Sequence, residues 1–244
     1  MPPRTTLDLR GLPHTDGIAA SRSGLLQILA PIARGLARMV WDVRVHRADL
    51  VPADGPVLLA CNHLATMDGP LSVLMSPRPV TYALAKEELF RGPVGRLLDA
   101  SGQIPISREV PVDRTALDRC IRVLRDGQAL VIFPEGMRDI GEFRWIRSGA
   151  AYLAMVTGAP IVPVAMLGTR APGASPKSLP GLRSRIHVVF GEPIRLPRVD
   201  WPRRQWVVRE AAERLRVRLA GHVRAAEALT GMSLPGAPSV GRLH

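Results

Sequence analysis

The sequence predicts a single α/β domain with a largely parallel central sheet flanked by helices, preceded by an N-terminal amphipathic helical segment. Three observations predict it. Apolar runs of strand length recur at 56–61, 80–85, 103–106, 129–133, 161–166 and 186–190. Helical patterns fall between several of them, over Leu71–Met75, Thr115–Arg125 and Gly149–Thr157. Alternation of this kind is the signature of parallel strands joined by crossover helices. The third observation is that two short polar clusters follow directly on two of the apolar runs. Open α/β sheets bind ligands beyond the carboxyl ends of their strands, so both clusters are placed at one crevice. At 244 residues, 46% of them hydrophobic, the chain is long enough to bury one substantial core.

The elements divide the chain into four stretches. Residues 1–22 and 231–244, polar or rich in Gly and Pro, read as mobile tails. Residues 23–43 form the amphipathic helical segment, and 44–230 the α/β domain. Within the latter, Trp206–Val223 places Val208, Ala211, Ala212, Leu215, Leu219 and Val223 opposite arginines. That stripe reads as a helix packed on the core with a solvated basic face.

The first polar cluster is Asn62-His63-Leu64-Ala65-Thr66-Met67-Asp68, after the run Val57–Cys61. A neutral imidazole can accept a proton at neutral pH. A carboxylate on its other nitrogen fixes the tautomer and stabilises the imidazolium that forms. On a continuous helix two residues five apart diverge by about 140°. The pair therefore works only if His63 sits in the turn after the strand and Asp68 opens the next helix. Asp68-Gly69-Pro70 fits an N-cap followed by a proline in the first turn. Taken alone the pair has a plainer reading, with Asp68 as a helix cap and His63 as a turn histidine bonded to backbone. Cys61 admits two readings as well, a nucleophile or a small core hydrophobe. No HExxH or paired CxxC spacing is present, so no metal site is expected.

The second cluster is Phe133-Pro134-Glu135-Gly136-Met137-Arg138, after Ala129–Ile132. With both clusters read together, the chain resembles the glycerolipid acyltransferase family, which includes the 1-acylglycerol-3-phosphate O-acyltransferases. Four blocks match in order. Asn62-His63 through Asp68 is like the family's NHxxxxD block. Lys86-Glu87-Glu88-Leu89-Phe90, then Pro93, Gly95, Gly102 and Ile104 through Arg108, is similar to the second. Phe133-Pro134-Glu135-Gly136 with Arg138 resembles the third, and Ile161-Val162-Pro163-Val164 the fourth. The match runs from about Val45 to Thr169, roughly half the chain. Two positions depart from the pattern: Met137 stands where the family usually has threonine, and the second block ends Pro105-Ile106-Ser107-Arg108.

The resemblance implies roles at these positions. His63 is the general base that deprotonates an acceptor hydroxyl, and Asp68 orients it. Arg108 and Arg138 grip the acceptor phosphate, as a guanidinium can bond two phosphate oxygens at once. Lys86 is a further phosphate contact or a solvated lysine. Glu135 binds an acceptor hydroxyl or holds Arg138. Gly136 supplies a backbone conformation that a side chain would forbid. The donor is an acyl-CoA or an acyl carrier protein, with no separate cofactor. The acceptor is a lysophospholipid, first among them 1-acylglycerol-3-phosphate; glycerol 3-phosphate, another lysolipid or a glycolipid are the alternatives. A silent lipid-binding scaffold and a thioesterase remain as rivals of other classes.

The bulk properties agree with such substrates. The formal net charge is +12, which favours an anionic partner such as an acidic membrane surface, a carrier protein or a phosphorylated lipid. Nucleic acid is disfavoured, because aromatics make up only 4% and no nucleic-acid-binding motif is present. Two cysteines form no disulfide framework, and Met1-Pro2-Pro3-Arg4 opens no apolar signal region. From Leu25 to Trp41, residues Leu25, Ile28, Leu29, Ile32, Leu36, Met39 and Val40 share one arc, with Gln27, Arg34 and Arg38 opposite. The stretch is too short of uncharged residues to span a bilayer, for which about 20 are needed. It suits a helix lying in the interface, or alternatively one packed on the core, with Pro31 a point at which it could split. The expected location is peripheral, on the cytoplasmic side of the cell membrane.

Overall fold

A computed structural model of the chain describes residues 13, 15, 17–18, 24–107, 109–110, 112–200 and 203–238. Its described strands form a seven-stranded sheet in the order β1-β7-β6-β2-β5-β3-β4. These are β1 (Asp42–His46), β2 (Val57–Cys61), β3 (Thr81–Lys86), β4 (Ile104–Ile106), β5 (Ala129–Ile132), β6 (Ile161–Leu167) and β7 (Arg185–Phe190). Strands β2 to β6 run parallel to one another, while β7 pairs antiparallel with β6 and carries β1 parallel to itself. The carboxyl ends of β2, β3, β5 and β6 therefore open on one side of the sheet.

Helices α1 (Gly24–Val40), α2 (Asp68–Leu74), α3 (Gly92–Ala100), α4 (Arg114–Arg125), α5 (Gly149–Thr157) and α6 (Gln205–Thr230) complete the fold. Strand β2 shows why two layers of helix are needed, since all five of its residues are buried. Leu58 and Ala60 face a core shared with α4, α5 and α6, including Ile121, Leu153 and Leu219. Val57, Leu59 and Cys61 face the other way, onto Leu71 and Met75 of the α2 region and Ala37 of α1. A strand buried on both faces is an unbroken apolar run, and that is how it reads in the sequence.

Several expectations need correction. Strand β1 and helix α3 fall outside the predicted elements. Pro31 does not split α1, which continues through it for 17 residues. The segments read as mobile tails contain held residues. Arg125 donates to the carbonyl of Pro13, and Arg122 to those of Thr15 and Ile18. At the other end, Met232 and Leu234 pack on the core, and the Leu234 N–H donates to Glu227. Carbonyls held by long-range arginine contacts leave no local trace in composition.

Helix α1 is also oriented differently from a helix with a free basic face. Its buried side is a stripe of small residues, Ala30 and Ala37, with Arg34 between them. The Arg34 guanidinium donates to the carbonyls of Leu74 (2.6 Å) and Ser76 (3.0 Å), closing the carboxyl end of α2. Helix ends leave carbonyls unpaired, and a basic side chain is one way to satisfy them. The large apolar residues Ile28, Ile32, Leu36 and Met39 consequently point outward. Replacing Arg34 with Met keeps the stem and removes both bonds. It is expected to lower the unfolding free energy by about 1.5–3 kcal/mol, measured by urea denaturation.

Candidate active site

His63 lies in the turn between β2 and α2, where the chain leaves the sheet at the carboxyl end of a central strand. Asn62 begins this turn by imitating one more residue of sheet. Its side-chain amide donates to the Met166 carbonyl (3.1 Å) and its oxygen accepts from the Met166 N–H (2.7 Å), tying the turn to β6. The His63 Nδ1 is 3.0 Å from Asp68 Oδ2. The same oxygen accepts the backbone N–H groups of Leu64 (2.5 Å) and Ala65 (2.6 Å). Asp68 thus does not cap α2 as the sequence suggested. Its carboxylate is turned back over the preceding turn, and it is fully buried. Because Asp68 accepts at Nδ1, that nitrogen carries the proton and Nε2 is left as the basic nitrogen.

The segment after β5 immobilises the rest of His63. The Phe133 ring stacks on the imidazole with centroids 4.2 Å apart and planes 26° from parallel. Glu135 Oε2 accepts the His63 N–H at 2.9 Å, and Glu135 Oε1 accepts the Phe143 N–H at 3.3 Å. The His63 carbonyl accepts the Asp139 N–H at 2.8 Å. Glu135 is therefore a brace for backbone, joining the histidine turn to the segment after β5. Gly136 stands at φ +71°, and a Cβ there would lie 2.6 Å from the Arg147 guanidinium. Gly141 is equally constrained, at φ +82° with Leu64 and Asn62 where its Cβ would be. At Gly136 the positive φ is the constraint, whereas a side chain at Gly141 would press directly on Leu64 and Asn62 of the histidine turn.

Burial pushes the Glu135 carboxyl up to about 7, against the lowering effect of the two N–H groups it accepts. Buried Cys61 is shifted further, its thiol held well above the ordinary range by burial and then by the Asp68 charge. A thiol so placed is not a thiolate at neutral pH, and Cys61 serves as a core residue.

Arg170 was missed by sequence reasoning. It follows β6, is 2% exposed, and donates to the carbonyls of Leu64 (3.3 Å) and Gly236 (2.6 Å). Burial lowers its pKa, while the charges of Asp68 and Asp139 oppose that shift. It supplies positive charge behind the histidine turn. Its signal was present, for Thr169-Arg170 is a polar pair one glycine beyond a buried strand, an arrangement close to the one that singled out His63.

Of the remaining expected site residues, Lys86 and Arg138 line one pocket of about 240 Å³ together with Ser175, Pro176 and Lys177. The Arg138 Nε is buried without a hydrogen-bond partner among the described residues. Arg108 lies outside the described residues.

Comparison with known proteins bears on this geometry. The family model described as Acyltransferase matches residues 42–167. The chain belongs to the acyltransferase family. A 1-acyl-sn-glycerol-3-phosphate acyltransferase of Bacillus subtilis is 30% identical over 154 residues, covering 62% of this chain and 73% of that one. A lyso-ornithine lipid O-acyltransferase of Pseudomonas aeruginosa is 30% identical over 207 residues, covering 78% and 77%. The crystal structure of a 1-acyl-sn-glycerophosphate acyltransferase from Thermotoga maritima shares the fold. Its TM-score is 0.56 at 24% identity, covering 82% of this chain and 79% of that one. The family's matched region contains His63, Asp68, Lys86, Glu135, Gly136 and Arg138, and Arg170 and Lys177 lie beyond it.

The raised pKa of Glu135 gives the site a pH signature. Between about 4.5, its ordinary value, and about 7, the folded state binds this proton more tightly than the unfolded state does. Stability from this group is therefore full below that window and falls as pH rises through it, by on the order of 3 kcal/mol. Glu135→Gln removes the titration. Urea denaturation from pH 4.5 to 7.5 should show the wild type losing stability relative to the variant as pH rises, and parallel curves would contradict it.

Proposed function

We propose that this protein transfers a fatty acyl group from acyl-CoA or acyl carrier protein to the free hydroxyl of 1-acylglycerol-3-phosphate, giving phosphatidate. The observation that carries this reading is the buried His63–Asp68 pair, whose turn is bonded to Asp139, the neighbour of Arg138, which with Lys86 lines a cationic pocket. His63 Nε2 takes the proton of the acceptor hydroxyl as its oxygen attacks the thioester carbonyl. The tetrahedral intermediate collapses, the C–S bond breaks, and the imidazolium returns the proton to the departing thiolate. Asp68 stabilises the imidazolium while it exists. Lys86 and Arg138 hold the acceptor phosphate, which fixes where the hydroxyl lies. Arg108 joins them on the strength of the family's motif alone.

A second acceptor class is favoured by one specific finding. A relative matched over 78% of this chain carries a name that specifies a lyso-ornithine lipid. Purified protein offered each acceptor in turn, with acyl-CoA and acyl carrier protein as donors, separates the two by rate. Donor hydrolysis without acceptor measures any thioesterase activity in the same assay. With 1-acylglycerol-3-phosphate as the acceptor, His63→Ala should lower turnover by at least about 10²–10⁴-fold with the fold retained by circular dichroism. Asp68→Asn should cost rate through the loss of tautomer control. Wild-type turnover in His63→Ala would remove the mechanism.

The substrate is reached at a membrane surface, in this reading, through α1. Among the described residues no helix is long and apolar enough to cross a membrane. Instead α1 turns Ile28, Ile32, Leu36 and Met39 outward, the last of them 78% exposed. A helix that docks by its small residues and keeps its large apolar ones outside is suited to lie in the interface of an anionic membrane. Burying each such side chain in lipid contributes roughly 1.5–3 kcal/mol. Ile32, Leu36 and Met39 changed together to Glu should release the protein from anionic vesicles in a flotation assay. The variant should remain folded and active on short-chain soluble substrates, because those side chains support nothing inside.

A further inference from the structure

The chain contains two lysines, Lys86 and Lys177, against a background of arginine. They lie far apart in sequence, yet both line the pocket that also receives Arg138. The sheet order explains how. Lys86 ends β3, Arg138 follows β5, and Lys177 lies in the connection from β6 to β7. In the order β6-β2-β5-β3, the strand that delivers His63 stands between the strand before Lys177 and the strands before Arg138 and Lys86. The pocket is thus drawn from both sides of the histidine turn, at the carboxyl ends of parallel strands.

The connection carrying Lys177 is anchored. At its start Arg170 donates to Leu64 in the histidine turn. The Gly173 N–H donates to the Pro235 carbonyl. Ser175 Oγ accepts the Lys177 N–H at 3.2 Å, and Ser178 Oγ donates to the Ser175 carbonyl at 2.7 Å. Further on, the Trp41 indole N–H donates to the Pro180 carbonyl and the Arg183 N–H to the Val40 carbonyl, so the same connection is fastened to the end of α1. Leu179 and Leu182, 65% and 78% exposed, project from it. One connection therefore carries lipid-suited side chains and a pocket cation within a few residues.

The pocket lining holds three cations and one hydroxyl, with no carboxylate. No ion pair among the described residues engages Lys86, Arg138 or Lys177. Like charges gathered around one cavity repel, and the matching occupant is a compact anion of more than one charge. A phosphate monoester carries about −1.5 to −2 at neutral pH and presents three acceptor oxygens. A singly charged or neutral headgroup leaves part of this charge unanswered.

We propose that Lys177, positioned by Ser175, is a third cation for the acceptor's phosphate monoester and makes the site discriminate phosphate-bearing from neutral acceptors. This rests on the acyl-transfer reading above and adds a residue outside the family's matched blocks. The acyl donor also carries phosphates, so the same chemistry has two possible sources, and the kinetic constants distinguish them.

The test compares wild type, Lys177→Ala and Lys177→Arg on two short-chain acceptors, a 1-acylglycerol-3-phosphate and the monoacylglycerol of the same chain. In Lys177→Ala the apparent KM for the phosphate acceptor should rise about tenfold, with kcat within about twofold. The KM values for the neutral acceptor and for the donor should stay within about twofold, and Lys177→Arg should recover most of the loss. Arg224→Ala, on the exposed face of α6, controls for net charge and should change nothing. Equal losses on both acceptors, no loss at all, or a loss confined to the donor KM would each overturn the proposal. Calorimetric titration of glycerol 3-phosphate into the His63→Ala protein, with and without Lys177→Ala, reads the phosphate contact without turnover. If the wild type fails to acylate 1-acylglycerol-3-phosphate, the functional reading falls. The titration still decides for Lys177 if its removal weakens binding, and against it if binding is unchanged.

Discussion

One buried carboxylate organises the site. Glu135 spends both oxygens on backbone N–H groups, those of His63 and Phe143, from two separate turns. The β2–α2 turn has no regular structure of its own to hold a histidine still. Its order is borrowed from the segment after β5, through Glu135 and through the Asp139 N–H on the His63 carbonyl. With Phe133 against one face of the ring and Asp68 on Nδ1, both the backbone and the imidazole have fixed positions. In the acyl-transfer mechanism proposed above, a general base is useful only at a set distance and angle from its proton, and the brace supplies that immobility. The cost is a carboxyl group buried where its charge is poorly solvated, which raises its pKa to about 7.

The same arrangement explains the charge balance around Asp68. Its Oδ2 collects three N–H donors, two of them backbone, and its other oxygen has no hydrogen-bond partner among the described residues. A buried carboxylate needs positive charge as well as donors. Arg170 is near enough for the Asp68 charge to act on it, and it is itself nearly inaccessible. Arg170 thus supplies positive charge to a turn whose carboxylate is buried.

The sequence made the parallel core legible because β2, β5 and β6 are buried on both faces and therefore unbroken in hydrophobicity. It hid β1, whose Asp42-Val43-Arg44-Val45-His46 alternates charge with valine at an edge. It also hid α3, a nine-residue helix opened by Gly92-Pro93 that buries only Gly95 and leaves Val94 and Leu97 exposed. The residues of the site were legible as types at a spacing, but their partners were not. Asp68 at the first position of a helix looks like a cap, and only the fold of the preceding turn reverses its direction. Glu135 next to Gly136 and Arg138 looks like a ligand of substrate, whereas its partners are 72 and 8 positions away. Hydrogen bonds to backbone carry no residue-type signal at the far end, and a pattern of side chains cannot report them.

Helix α1 shows the limit of amphipathicity as an argument. An apolar arc opposite arginines ordinarily means that the apolar arc goes inward. Here Arg34 goes inward because α2 ends nearby with carbonyls to satisfy, and alanines on the same side allow close approach. The arginine thus determines which face is outside, and the large apolar residues are outside as a consequence. The end of α1 is then fastened to the connection between β6 and β7 by the Trp41 and Arg183 bonds. That connection runs from Arg170 beneath the histidine turn, past Lys177 in the cationic pocket, to the exposed Leu179 and Leu182. The outward face, the pocket and the turn are therefore linked by continuous chain and hydrogen bonds.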